Sequence, residues 1–506
     1  MKKTALAIAW GLGWLSASAW SDDSKVEYKP MAIGALQEMG MIHKGIYSIG
    51  SANPAEVVES DWVDHFGAFM TKEAIINERL HLTGGLGGIF QFRKPELPAG
   101  VVNAGFSGAQ RKGFFIGPTD AQAIYYLGGE PDNPFAKIGA GMFMYKYNPQ
   151  AYNLGEYLFR SGPYPTFTTT GGYLIVNGAA ANLQGLRTNL NLGALKADFF
   201  LTTETALAPL YDWSLASVAT YTFRDGLLEL GAGVNFKRLI QVRPSRTAKE
   251  TANNGYFTYK GVVYAGNPAN YSLPVSYYQN RVKDFGLASD SAKLAAATAL
   301  QANFQAALDD TTTTLKYNYF SAAGTLLMAR ICVDPKKVMG SEIFGSEDLK
   351  LYGEVGLLGV KNYPIFYKKQ SERMPIMAGF NIPTFKLLDL FAVQTEYMNS
   401  PHLNNTSQIT KGGEFGGTWN TPALPLASDK ISSKTDYLDL AKRDNFKWSV
   451  LLKKAIGTNI TFSGQVASDH MRLTSSYFYY GPQFDHNEVT ADKDNWYWMT
   501  QISWGI

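Results

Sequence analysis

Residues 496–506 read Trp496-Tyr497-Trp498-Met499-Thr500-Gln501-Ile502-Ser503-Trp504-Gly505-Ile506. Side chains of an extended chain alternate between two faces. Trp496, Trp498, Thr500, Ile502, Trp504 and Ile506 therefore share one side, and Tyr497, Met499, Gln501, Ser503 and Gly505 the other. The first face is apolar and aromatic; the second is small and mostly polar. Two environments ask for such a strand. One is the edge of a soluble antiparallel sheet with its apolar face inward. The other is the closing strand of a transmembrane barrel, apolar face on lipid and polar face on a wet lumen. The rest of the chain separates them.

At the other end, Lys2 and Lys3 precede an apolar run from Thr4 to Leu15 and a small-residue stretch, Ala17-Ser18-Ala19. That is the layout of a secretory signal peptide occupying residues 1–21, cleaved after Ala19 or Ser21. Cys332 is the one cysteine, so the exported chain has neither an internal disulfide nor a lipobox. No later run is apolar for long enough to form a membrane helix.

Without Lys2 and Lys3, the 46 basic residues fall almost level with the 43 acidic ones. No basic stripe points to nucleic acid. The chain holds 29 Tyr, 29 Phe, 10 Trp and 49 Gly against 18% charged residues, a balance that suits aromatic-rich strands joined by tight turns. Mean hydropathy is −0.15. A helical membrane protein is more apolar than that, whereas a barrel turns half its strand residues to water.

Alternation recurs along the chain. Val26 to Leu36 holds a first strand, 53–60 reads as loop, and strands before and after Ile76 flank the polar turn Asn77-Glu78-Arg79. Between Leu80 and Phe92, Leu80, Leu82, Leu86, Phe90 and Phe92 face one way and His81, Thr83, Gly85, Gly87 and Gln91 the other. The glycines 84–88 invite a phosphate-loop reading, but no helix follows to hold the anion, so they read as relief of strand curvature. A Pro/Gly-rich stretch (93–135) precedes short alternating segments at 138–147, 152–160, 171–178, 182–192 and 196–206. The clearest hairpin turns at Arg224-Asp225-Gly226. Residues 243–314 break the pattern: 253–278 reads as irregular loop, and Asp290–Asp310 as a helix with Lys293, Ala297, Leu300, Phe304 and Leu308 at helical spacing. Strands resume at 315–333, 347–361, 374–382, 387–397, 446–454 and 459–469, with a second long polar loop at 399–444.

Loop lengths carry an independent signal. If the last strand runs toward the periplasm, connections counted backward from it must alternate between long outer loops and short inner turns. The longest connections (470–494, 398–445 and 241–314) all fall outside, and 455–458, 383–386 and 224–226 fall inside as tight turns. Only 334–346 is long for an inner turn. A soluble sandwich has no reason to sort its loops this way. The expected fold is all-β: one transmembrane antiparallel up-and-down barrel of about 16–18 strands spanning 22–506, with one helical insertion in a long outer loop.

With its leader, amphipathic aromatic last strand and Asn77-Glu78-Arg79 style of turn, the chain resembles bacterial outer-membrane porin-like barrels. The likeness covers most of the chain and is architectural. It implies an outer-membrane location, contact with lipid, and delivery by the barrel-assembly machinery through Trp496, Trp498, Ile502, Trp504 and Ile506. Many such proteins end in an aromatic residue; here Trp504 stands two residues before Ile506.

The histidines (His43, His65, His81, His402, His470, His486) form no His-x-x-x-His pair, so neither a metal nor another cofactor is expected. Asp469-His470 beside Ser468 and Ser475 is the one grouping with hydrolase residue types, and strand neighbours point to opposite faces, so no enzyme is expected. Inward charges at Arg187, Glu229, Lys237, Lys350, Glu354, Glu396, Lys447 and Lys453 are the candidate pore-lining residues. These features lead to a channel for passive or weakly selective diffusion of small hydrophilic solutes. The alternative is a barrel-anchored surface protein whose outer loops bind polysaccharide or a protein, with Tyr256, Tyr259, Tyr264, Tyr271, Tyr277 and Tyr278 stacking on sugar rings.

Overall fold

In the computed structural model, the described residues are 25–47, 56–93, 113–160, 181–204, 211–245, 255–340, 342–361, 367, 369–400, 434, 445–468, 471–472, 488–489 and 496–506. The leader therefore lies outside them, as do 171–178, Asp469 and His470. Sixteen strands form the wall: β1 (Ala32–Tyr47), β2 (Glu56–Ile76), β3 (Leu80–Arg93), β4 (Gly113–Leu127), β5 (Ala136–Tyr145), β6 (Ala181–Leu192), β7 (Leu195–Thr203) and β8 (Trp213–Phe223). The second half holds β9 (Leu228–Ile240), β10 (Gly324–Val333), β11 (Leu351–Leu357), β12 (Ile376–Asn381), β13 (Leu390–Tyr397), β14 (Phe446–Ile456), β15 (Ile460–Ala467) and β16 (Tyr497–Gly505). Each pairs antiparallel with the next, and β16 returns to β1. A short segment, Val26–Tyr28, adds to the foot of β2.

The seam that closes the barrel runs from Gly34 opposite Gly505 to Ile42 opposite Tyr497. Beyond it, Ile33 and Ile506 exchange a reciprocal pair of backbone hydrogen bonds at 2.9 and 2.8 Å. Burial in β16 follows the alternation of its sequence. Tyr497, Met499 and Gln501 point inward and are buried; Ile502 and Trp504 face out and stay exposed, as does Ile506 beyond the strand end. Around the wall, Leu82, Leu86, Phe90, Leu186, Phe199, Leu215, Leu230, Leu327 and Phe462 are likewise exposed on the outer face, as a lipid-contacting surface requires.

Tight turns, Lys25 (the first described residue) and Ile506 share one end of the barrel. The turn at Asn77 and Glu78 uses two consecutive left-handed residues (φ 51° and 61°), the geometry that suits a twisted hairpin. Long connections share the other end, in the alternation read from the sequence.

The differences from that reading are local. Residues 56–60 belong to β2, and β4 lies within the stretch 93–135 taken as Pro/Gly-rich loop, because its apolar residues are interrupted by Gly117 and Pro118. Residues 152–160 are not a strand; they fold into the lumen. The segment 315–323 precedes β10 and lies outside the wall. The expected single helix in the long connection 241–323 is joined by another: among the described residues, α1 (Ala269–Phe285) precedes α2 (Ala288–Asp309). α1 was hidden by Pro274 within it and by a tyrosine content typical of strands. Preceding them is a hairpin, Gly255–Tyr259 with Val262–Ala265. Phe257, Tyr264, Tyr271, Phe304 and Ala307 form the small core of this insertion, with Tyr271 stacked on Phe304 at 4.1 Å. Leu300 and Leu308, assigned to the packing stripe of α2, are exposed instead.

Inward glycines make room for neighbouring side chains. A Cβ on Gly87 would lie 2.5 Å from the Phe69 ring and 2.9 Å from Thr119. At the seam, inward-facing Gly40 sits against Met499 and the Trp498 carbonyl, with no space for a side chain. Gly40→Val is expected to destabilise closure by about 1–3 kcal/mol, the usual cost of overpacking. The folded, fast-migrating band on unheated SDS gels should then disappear at a lower temperature than in the parent.

Candidate pore constriction

After β5 the chain turns into the lumen instead of continuing outward. Asn148 starts the bend by accepting from Gln150 N at 3.1 Å through its side chain and from Ala151 N through its carbonyl. Two left-handed residues, Gly155 (φ 91°) and Glu156 (φ 64°), then reverse the chain into a single helical turn at Tyr157–Arg160. A Cβ on Gly155 would meet Met377 at 2.9 Å and the Glu354 carboxylate at 3.2 Å, so glycine permits the close approach.

The Glu354 carboxylate of β11 anchors this inner loop. It accepts from Tyr147 Oη (2.5 Å), Asn148 Nδ2 (2.6 Å), Tyr157 N (2.9 Å) and Glu156 N (3.1 Å). Gln394 of β13 accepts from Asn153 N at 3.0 Å and donates to the Gln150 carbonyl at 2.7 Å. Glu396 accepts from Tyr157 Oη at 2.9 Å, and Asn235 of β9 donates to the Leu158 carbonyl at 3.2 Å. Gly356 and Gly233 lie directly beneath Tyr157 and Leu158, 2.8 Å from where a Cβ would stand. The loop then merges with Phe320, Ala322, Tyr367 and Met398 in one core that fills this side of the lumen.

Opposite the loop, a cavity of ≈ 1520 Å³ remains. Its wall comprises Thr71, Thr461, Ser463, Gln501, Ser503 and Lys453, its loop side Lys146, Gln150 and Tyr152, and its floor Glu347, Lys350 and Asp389.

The residues singled out from sequence divide among these environments. Lys350 and Lys453 line the cavity, Lys350 paired with Glu347 at 2.7 Å. Glu354 and Glu396 face inward but lie under the loop; Lys447, opposite Glu396 in register, is buried with them. Glu229 pairs with Arg330 at 2.6 Å. Arg187 sits with its guanidinium 4.7 Å from the Phe143 ring. Lys237 is half-buried next to the bulged Arg238, which pairs with Asp212 at 3.2 Å and Glu204 at 3.3 Å. Among the tyrosines considered for sugar stacking, Tyr259, Tyr264, Tyr271, Tyr277 and Tyr278 are buried, and Tyr256 packs 5.1 Å from Phe320.

Sequence reasoning missed Tyr147, Asn148 and Arg330, and placed Asn235 on the polar face of its strand without giving it a role. Arg330 alternates correctly for an inward position and was legible. The loop residues gave no signal, because their partners lie about 200 positions away.

No protein-family model and no curated protein sequence matches the chain. Among solved structures, a mutant porin of Rh. blastica is similar over 94% of this chain and 100% of its own, at 5% identity and TM-score 0.38. OprB of Pseudomonas putida is similar over 95% and 94% at 9% identity and TM-score 0.39. OmpT, an outer membrane protein of Vibrio cholerae, is similar over 96% and 99% at 9% identity and TM-score 0.34. The fold is a closed sixteen-strand antiparallel barrel on the strength of its own strand pairing.

Replacing Glu354 by Ala orphans four donors in a buried site. The expected cost is about 3 kcal/mol or more, since each stranded polar group forfeits its solvation. Tyr147→Phe removes one donor and should cost about 1 kcal/mol. Limited proteolysis within 146–160 should rank the proteins Glu354→Ala, Tyr147→Phe, parent, from fastest to slowest.

Proposed function

We propose that the protein is an outer-membrane channel for passive or weakly selective diffusion of small hydrophilic solutes. Residues 1–21 serve as its export signal and 22–506 as the barrel. The turn end faces the periplasm, and the C-terminal strand from Trp496 to Ile506 is the assembly signal. The observation that carries the reading is the cavity between the inner loop and the wall from β13 through β16 to β2, whose lining sets hydroxyls, amides and both signs of charge among apolar side chains. Sixteen strands enclose a lumen too wide for wall side chains alone to fill. Here one side of it is occupied by a tethered loop and the other is left wet, which narrows a channel without sealing it.

The surface-binding alternative draws less support. Five of the tyrosines that would serve it are buried and Tyr256 packs against Phe320, while nearly all of 399–444 lies outside the described residues.

Reconstitution in a planar bilayer tests the channel reading. Steady ohmic current is expected, and an electrically silent, correctly inserted barrel would end it. Lys453 lies on the cavity wall, so Lys453→Glu should move the zero-current potential in a KCl gradient toward cation preference. A reversal potential identical to the parent's would remove Lys453 from the conduction path.

A further inference from the structure

The wall of the barrel is not equally tall all round. β11 and β12 contain seven and six residues, whereas β14 has 11 and β4 has 15. A tilted strand needs about 9–11 residues to cross the apolar layer of a membrane. The two turns below these short strands, 334–350 and 382–389, are also, with 128–135, the long ones at the turn end, where 77–79, 193–194 and 457–459 are tight. They carry exposed apolar side chains that no ordinary solvated turn needs. Val338, Met339, Ile343, Phe385 and Leu387 are each more than half exposed, Leu387 at 77%.

These turns are built, not loose. Asp348 ties one to the other, accepting from Gly345 N (2.8 Å) within its own turn, and from Phe385 N (3.1 Å) and Thr384 Oγ1 (3.2 Å) across. Burial alone pushes that carboxyl up, but the backbone N–H groups aimed at it hold it below its ordinary value. Phe344 and Phe385 stack at 5.6 Å, and the single Thr384 hydroxyl proton is shared between Asp348 and the Leu388 carbonyl, 2.8 Å away. Leu349, Phe385 and Lys386 are held in the left-handed region (φ 62°, 55° and 68°), which non-glycine residues keep only where their surroundings enforce it. The result is a fixed display of apolar groups to the outside.

On either side, the same level of the barrel shows exposed apolar residues on its strands and short turns. Phe135, Leu192 and Phe223 lie toward one flank, and Ile456, Ile460 and Trp504 toward the other. Where β11 and β12 stop short, the two turns supply the missing stretch of that band. Lys337, Lys386 and Lys454 accompany it beside Glu342 and Asp389, with Lys454 donating to the Lys386 carbonyl at 3.1 Å and pairing with Asp389 at 3.6 Å. An apolar surface edged by charges of both signs fits the boundary between acyl chains and headgroups.

We infer that turns 334–350 and 382–389 form a lipid-seated lip, inserted in the headgroup–acyl boundary of the periplasm-facing leaflet and completing the apolar girdle below β11 and β12. The inference rests on the membrane-barrel reading above, and its test separates the two. Single cysteines at Val338, Ile343 and Leu387, in a Cys332→Ala background, are spin-labelled and reconstituted in vesicles of phosphatidylcholine and phosphatidylglycerol. Collision of each label with oxygen, which partitions into lipid, is compared with collision with a water-soluble nickel chelate. Asp225, at the tip of the neighbouring tight turn, is the aqueous control; Ile502, on the outer face of β16, is the lipid control. The three lip sites should resemble Ile502, with an oxygen-to-nickel ratio several-fold above that of Asp225. A nickel-accessible lip beside a lipid-exposed Ile502 overturns the lip alone. Lip sites shielded from both reagents also overturn it, because a protein contact then covers the turns. An aqueous Ile502 overturns the membrane reading itself. Should Cys332→Ala fail to assemble, the same substitutions in the unaltered background give a second series. The parent is then the blank, because Cys332 is buried.

Discussion

A backbone N–H left unpaired in hydrocarbon costs several kcal/mol, and this one penalty organises the molecule. It forbids a free edge, so the first and last strands must meet although some 460 positions separate them. The pairing of Gly34 through Ile42 with Gly505 through Tyr497 meets that demand, and the Ile33–Ile506 exchange extends it to the last residue. Closure of an antiparallel sheet on itself requires an even strand number and places both termini at one end. The division of the connections into turns and loops follows from it. Small residues at the seam, Gly40 above all, show how little tolerance the contact leaves.

Closing so many strands creates a second problem inside. Wall side chains cannot meet across the lumen, so the chain brings a loop inward and needs something to hold its polar backbone there. Carboxylates and amides on β9–β13 do this. Glu354 offers two oxygens to four donors, which makes it a structural acceptor more than a source of field for passing ions. Gly233 and Gly356 give the loop its seat. Charges on the far wall, beyond the loop, stay available to solvent in the cavity. Inward-facing charge thus has two separate uses in one lumen, and position relative to the loop decides which.

Much of this architecture was legible because a barrel wall repeats one rule. Alternation over β3, β8, β9, β14 and β16 needs only local sequence, and the order of long and short connections is independent of exact strand ends. The rule failed where local pattern and partner diverge. β4 was obscured by Gly117 and Pro118, which a register shift against β3 accommodates. Tyr152 to Leu158 alternates well enough for a strand, but its hydrogen-bond partners are side chains of β11 and β13 rather than a neighbouring backbone. α1 holds Pro274 and three tyrosines, a composition that speaks for coil or strand until Phe304 is brought against Tyr271. At the constriction, sequence supplied the inward charges but not the division between those that hold the loop and those that line water. That division depends on contacts between residues some 200 positions apart.

The same separation imposes an order on assembly. Tyr147, Asn148 and Asn153 bind Glu354 and Gln394, which lie 200 or more positions further along the chain, so the inner loop has no seat until that part of the wall is paired. Its seat exists only after β9 to β13 are paired, and closing so long a span costs entropy that the buried hydrogen bonds must offset. The constriction depends on the C-terminal half of the chain, and a barrel that keeps residues 146–160 but loses β11 would be a wall without its gauge.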